Sequence, residues 1–165
     1  MTPEQDLAFL RRAFDVARRA RDGGDHPFGA LLVGPNGAAL REQGNGFSAE
    51  GFDRTAHAER LIASWAAKTL ELDELRGSTL YSSAEPCAMC AGAIYWAGIG
   101  RVVYGQSESG LKAATGAHEE NPTLDLPCRI VFSAGQRATE VVGPLLEEEA
   151  AALQADYWST RQSTK

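Results

Sequence analysis

Apolar residues recur along the chain at two different spacings, and the changes between them mark out the elements. Leu7, Leu10, Phe14 and Ala17 follow at helical intervals, behind Thr2, Pro3 and Gln5, which have the form of an N-cap, a first-turn proline and a capping-box partner. This predicts an opening helix that stops at Gly23-Gly24. The short apolar run from Phe28 to Val33, the turn signal Pro35-Asn36-Gly37 and the returning segment Ala38 to Gln43 predict a β-hairpin. Asn45 to Thr55 is polar and glycine-bearing and reads as a loop. From Ala56 to about Leu70 the chain favours helix, with Leu61, Ile62, Trp65 and Ala66 on its apolar side and His57 and Glu59 in its first turn.

Farther on, Ser78 to Ser83 reads as a strand, Ala88 to Ala97 as a helix rich in small residues, and Arg101 to Tyr104 as another buried strand. Strand, helix, strand implies a right-handed crossover and a parallel pair. Glu108 to Leu126 is acidic, glycine-bearing and irregular, and its length predicts a functional loop. Cys128 to Phe132 fits either a strand or a helix. Glu140 to Val142 looks like a last strand, and Pro144 opens a closing helix carrying Leu145, Leu146, Leu153, Tyr157 and Trp158. There is no internal repeat or interdomain linker. The alternation predicts one domain over residues 1–165, a three-layer α/β/α sandwich around a mixed sheet of about five strands.

Composition narrows the setting. At 165 residues and 44% hydrophobic content, the chain is long enough for one sizeable core. No apolar run approaches the roughly 20 residues that a bilayer demands, and Met1-Thr2-Pro3-Glu4 lacks the layout of a signal peptide. A soluble, cytoplasmic protein with reduced thiols and no membrane partner is expected. The net charge of -6 disfavours long nucleic acid as a partner. Arg11, Arg12, Arg18, Arg19 and Arg21 crowd the first helix, where a solvated face is the default reading.

The chemistry sits in two short motifs. Of the three cysteines, Cys87 and Cys90 are three apart behind Pro86, so a metal or redox pair suits them better than a disulfide framework. They open a predicted helix, where free N–H groups and the helix dipole favour thiolates, and their spacing puts both sulfurs on one side. With His57 at the start of another helix, they make the three nitrogen and sulfur donors of a catalytic Zn²⁺ site, leaving the fourth position for water. Water held in this way loses a proton far more easily than bulk water does. Glu59, two residues from His57, can reach the same cavity without ligating and can carry protons. His-x-Glu followed by Pro-Cys-x-x-Cys is the general signature of zinc nucleobase deaminases.

His57-Ala58-Glu59 and Glu85-Pro86-Cys87-Ala88-Met89-Cys90 resemble the two motifs of the cytidine deaminase-like superfamily, over roughly Phe28 to Trp158. Within it, Cys90-Ala91-Gly92-Ala93-Ile94-Tyr95-Trp96 resembles bacterial and plant guanine deaminases, while Arg101-Val102-Val103-Tyr104-Gly105 is similar to the tRNA adenosine deaminases. The resemblance implies that Asn45 hydrogen-bonds the base, that Phe28 walls the pocket, and that the enzyme is a homodimer. Ala58 and Trp96 complete the expected substrate-binding set. It also implies hydrolysis of guanine to xanthine and ammonia as the first expectation, with a small free nucleobase as partner. Deamination of tRNA adenosine, or of another aminopurine, aminopyrimidine or triazine, is the alternative. Guanine deaminases use a second acidic residue in the C-terminal part, for which Glu119, Glu120 and Asp125 stand as unranked candidates.

Plainer readings exist for each residue. Cys-x-x-Cys alone would suit a thioredoxin-like redox pair. His57 alone would suit a helix cap, and Glu59 a glutamate complementing the helix dipole. Asn45 also suits a simple turn, Trp96 core packing, Cys128 a buried hydrophobe, and His26 and His118 loop positions. A structural zinc module without enzymatic activity would need a fourth protein ligand, which Cys128 or His118 could supply.

Overall fold

The computed structural model describes residues 1–116 and 118–161; residue 117 of the expected functional loop and residues 162–165 of the expected domain lie outside the described residues. Helix α1 (Pro3–Asp22) begins with the expected capping box between Thr2 and Gln5 and ends at Gly23. Strands β1 (Gly29–Val33) and β2 (Ala39–Gly44) form the antiparallel hairpin. Helices α2 (Ala58–Thr69) and α3 (Leu72–Gly77) lead into β3 (Thr79–Ala84), which α4 (Ala88–Ala97) connects to β4 (Arg101–Gln106). Then come α5 (Glu108–Thr115), α6 (Cys128–Ser133), β5 (Glu140–Val142), α7 (Glu147–Ala152) and α8 (Tyr157–Thr160).

The five strands form one mixed sheet in the order β2-β1-β3-β4-β5. β1 runs antiparallel to β2 and β3, with Leu31 opposite Tyr81, whereas β3, β4 and β5 are parallel, with Tyr81 beside Val103. β1 and β3 are buried along their whole length, and β1 accordingly reads as a continuous apolar run rather than an alternating one. Alternate residues feed two cores. Leu32, Leu80, Val102 and Tyr104 pack against α2, α4 and α6 through Ile62, Ala66, Ile94 and Phe132. Leu31, Val33, Tyr81 and Val103 face Leu10, Phe14 and Ala17 of α1 and Ala150 of α7. The chain is thus the expected α/β/α sandwich. Gly29 lets α1 lie directly on β1, since a side chain there would collide with the backbone of Ala13 and Ala17.

Two segments depart from the sequence expectation, and a third is decided between its two readings. The irregular stretch after β4 contains α5, whose N-cap Ser107 accepts a hydrogen bond from the amide of Gly110. Cys128–Ser133 resolves as a helix. The expected single closing helix is two short ones, because Asp156 takes a left-handed backbone (φ 59°) between them. Among the described residues no helix is long and apolar enough to cross a membrane. The α1 arginines meet acids on the surface: Arg11 pairs with Glu149, Arg12 and Arg19 with Glu42, and Arg18 with Asp15.

Candidate active site

Two helix N-termini converge beyond the carboxyl ends of the parallel strands β3 and β4, the position at which open α/β sheets bind ligands. His57 is the N-cap of α2 and Cys87 the N-cap of α4, both with extended backbone and no side-chain cap hydrogen bond. Their side chains are therefore free to point at one another. His57 Nδ1 lies 3.7 Å from Cys87 Sγ, and one donor atom from each of His57, Cys87 and Cys90 falls within 4.8 Å of the others. A tetrahedral zinc with the usual bond lengths would separate such a nitrogen and sulfur by about 3.6 Å. Among the described residues this trio has no fourth member. Cys128 is buried in the α2/α4 core, and His118 Nε2 lies 3.1 Å from the carbonyl oxygen of Arg161, so neither closes the site.

Electrostatics agree with a metal role. The Cys87 thiol is pulled down to about 4, first by the hydrogen bond from Cys90 and then, against the opposing effect of burial, by His57. The Cys90 thiol is pushed up by the neighbouring Cys87, by burial and by Glu59. One sulfur thus holds the anion and its neighbour the proton, the pair that a divalent cation would replace.

Glu59 sits one step inside α2, only 5% exposed. The Ser82 hydroxyl of β3 donates to its Oε1 at 2.6 Å, and the Cys90 thiol reaches its Oε2 at 3.7 Å. Burial is the largest influence on this carboxyl and raises its pKa above the ordinary value, against the opposing pull of His57 and Ser82. A carboxyl so placed is within reach of protons at the donor cluster.

A cavity of about 270 Å³ opens from this cluster, walled by Phe28, His57, Glu59, Ala84, Glu85 and Cys87. Its other side comes from later in the chain: Glu108, Leu111, Glu119, Glu120, Asn121, Pro122 and Leu124, with Arg54 and Met89 completing the lining. Phe28 is backed by Trp158, ring centroids 6.1 Å apart. The 119–124 stretch is held by Glu120, whose carboxylate lies 2.9 Å from His26 Nε2 and also receives a hydrogen bond from Arg161.

Of the expected substrate-binding residues, Phe28 lines the cavity. Asn45, Ala58 and Trp96 are not among its lining residues. Asn45 is buried, and its Oδ1 accepts from the amide of Phe47 in a tight turn. Ala58 lies in the core under α2. Trp96 is 83% exposed on the outer side of α4 and touches Tyr95 edge-on. Of the three acids proposed for the late segment, Glu119 and Glu120 line the cavity, whereas Asp125 pairs with Lys112.

Sequence reasoning did not single out Ser82, Glu85 or Glu108. Glu85 links two segments: its Oε1 accepts from the amide of Cys128 at 2.8 Å and its Oε2 from that of Glu108 at 3.0 Å. Glu108 is pushed up to about 8, first by burial and then by the charges of Cys87, Glu59 and Glu85. The signal available for Glu85 and Glu108 was position, since each lies just beyond the carboxyl end of a parallel strand.

Residues 3–106 match the model of the cytidine and deoxycytidylate deaminase zinc-binding region. The chain belongs to this deaminase family. It is 41% identical over 155 residues to a protein of Schizosaccharomyces pombe named a probable cytosine deaminase, covering 94% of this chain and 93% of that one. It is 39% identical over 102 residues to the tRNA-specific adenosine deaminase of Bacillus subtilis, covering 61% of this chain and 62% of that protein. Among solved structures, a guanine deaminase from Nitrosomonas europaea superposes with a TM-score of 0.75 at 26% identity, covering 96% of this chain and 85% of that one. As a family member this deaminase is a hydrolase of the zinc-binding type, and its His57, Cys87 and Cys90 make the donor group suited to that metal.

Proposed function

We propose that this deaminase removes the amino group of a free, uncharged nucleobase. The observation that carries this reading is the lining of the cavity, to which Glu59, Glu85, Glu108, Glu119 and Glu120 contribute five carboxyl groups, against the one guanidinium of exposed Arg54. Glu85 is taken up by two backbone amides and Glu120 by His26 and Arg161, so Glu59, Glu108 and Glu119 are left to meet the N–H donors of an amino heterocycle, where a phosphate would bring only further acceptors. About 270 Å³ is small for a ligand pocket and suits one or two rings. Cytosine is put first, ahead of the guanine that the motifs alone favoured, because the likeness to the Schizosaccharomyces pombe protein extends over nearly the whole chain. Guanine is the second reading, supported by the likeness of fold to the Nitrosomonas europaea enzyme.

When held by His57, Cys87 and Cys90, zinc supplies the Lewis acidity that brings water within reach of deprotonation near neutral pH. Glu59 takes the water proton at Oε2, the oxygen on the Cys90 side, while Ser82 fixes Oε1. It passes that proton to the ring nitrogen beside the amino-bearing carbon and then moves a proton to the departing amine. The water oxygen bonds to the amino-bearing carbon as the ring C=N bond opens; the carbon–nitrogen bond then breaks, ammonia leaves with the proton that Glu59 carries over from the added hydroxyl, and the carbon keeps the oxygen as a carbonyl, turning cytosine into uracil. Phe28, stiffened by Trp158, flanks the ring. The test is ammonia release by the zinc-loaded protein from cytosine, guanine, adenine, their nucleosides and a tRNA anticodon stem-loop. Release from a free base supports the reading; conversion of the stem-loop alone overturns it.

A further inference from the structure

Glu108 stands apart from the other acids of the cavity. It is 3% exposed and lines the cavity, and among the described residues no donor reaches its carboxylate. With no protein donor, a carboxyl that lines the cavity has its partner to find inside it, in water or in a bound ligand. The metal is not that partner, because the donor group is His57, Cys87 and Cys90, without Glu108. Nor is Glu108 loosely placed. Its amide donates to Glu85 Oε2 at 3.0 Å, and the preceding amide, that of Ser107, donates to Glu147 Oε1 at 2.9 Å. The Ser107 hydroxyl, which also donates to Glu147, accepts from Gly110 and caps the helix that Glu108 begins. Two glutamates from different parts of the chain thus fix the start of α5 and with it the backbone that carries Glu108.

We propose that Glu108 is the specificity residue that recognises a free base by accepting a hydrogen bond from its ring N–H. The inference rests on the free-base reading and deepens it. Glu59, beside the metal donors, serves the edge that carries the amino group. Once that amine and the neighbouring ring nitrogen are engaged, the donor left on cytosine is N1–H; on guanine N9–H occupies the corresponding place. In a nucleoside these nitrogens carry the sugar and have no hydrogen to give. A site built around a substrate N–H rejects the analogue lacking it, because its own buried group is then left unpaired.

The test uses zinc-loaded full-length protein, wild type, Glu108→Met and Glu108→Gln, with zinc content measured for each. The probes are 2-pyrimidinone and hypoxanthine, which lack the reacting amine, together with their N1-methyl and N9-methyl derivatives, titrated at equilibrium. The wild type should bind at least one parent at least about tenfold more tightly than its methyl derivative, the scale of one lost buried hydrogen bond. Glu108→Met should lose that preference, and Glu108→Gln, which keeps an acceptor oxygen, should fall between. For the base that is deaminated, Glu108→Met should raise KM at least about tenfold and change kcat much less. Equal binding of parent and methyl derivative by the wild type, or an unchanged preference in Glu108→Met with zinc retained, overturns the assignment. Because the titration needs no turnover, a wild type that binds with this preference yet releases no ammonia would instead refute the free-base deaminase reading.

Discussion

The hydroxyl of Ser82, on a central strand, is held 2.6 Å from Oε1 of Glu59, on a helix packed above it. The sheet thus sets the orientation of the proton carrier and leaves its second oxygen on the metal side. Ser82→Ala should keep zinc and fold and lower kcat about tenfold, as expected for one hydrogen bond to a charged group. KM should change little. A kcat within twofold of wild type in steady-state assays would show that Glu59 is oriented by something else.

Removing the carboxylate separates chemistry from metal binding. Glu59→Gln should retain about one zinc per chain and lose at least about a hundredfold in turnover, the usual scale for a general acid/base. Near-normal turnover with full zinc would refute the role.

The metal donors give the opposite pattern. Cys87→Ser or Cys90→Ser should lose the metal along with activity, as read by elemental analysis of the purified variants. Full metal retention by both would sink the ligand assignment.

Away from the site, Asp6 anchors α1 to the sheet by accepting two hydrogen bonds from Arg101 and one from Tyr81. Burial raises its pKa, but the Arg101 and Tyr81 hydrogen bonds outweigh burial, and the net direction is down. A carboxyl depressed in the folded state contributes stability that is present above its unfolded pKa, about 3.9, and is lost as pH falls through the lower folded value. Asp6→Asn should therefore be least stable relative to wild type at neutral pH, by about 3 kcal/mol. Denaturant titrations should find that gap narrowing below about pH 4. A gap that widens in acid would contradict the pairing.

Salt should separate the substrate classes. Deamination of a free base neutralises no phosphates and should change little across moderate salt, whereas a tRNA substrate should be lost steeply. A steep salt dependence of base deamination would count against an uncharged substrate.

Much of the fold and the metal trio was legible because both rest on local rules. Capping, strand–helix–strand order and donor spacing are written within a few residues, so Thr2, Gln5, His57 and the two cysteines could be read directly. Trp96 could not, since α4 is apolar all round and its periodicity does not say which side meets the sheet. Helix α5 was hidden because Ser109 and Gly110 lowered its helical character, while the decisive cap, Ser107, lay one residue before the stretch read as irregular. Glu108 offered only its position after β4, because its environment is made by Glu85 and Glu147, far away in sequence.

The cavity has a seam. Its reactive side is built between His57 and Cys90, and much of the facing wall begins at Glu108, after the last residue of the family match. Reaction and selectivity are therefore written in separable passages of the gene, and a lineage can inherit the first intact while redrafting the second for a new base.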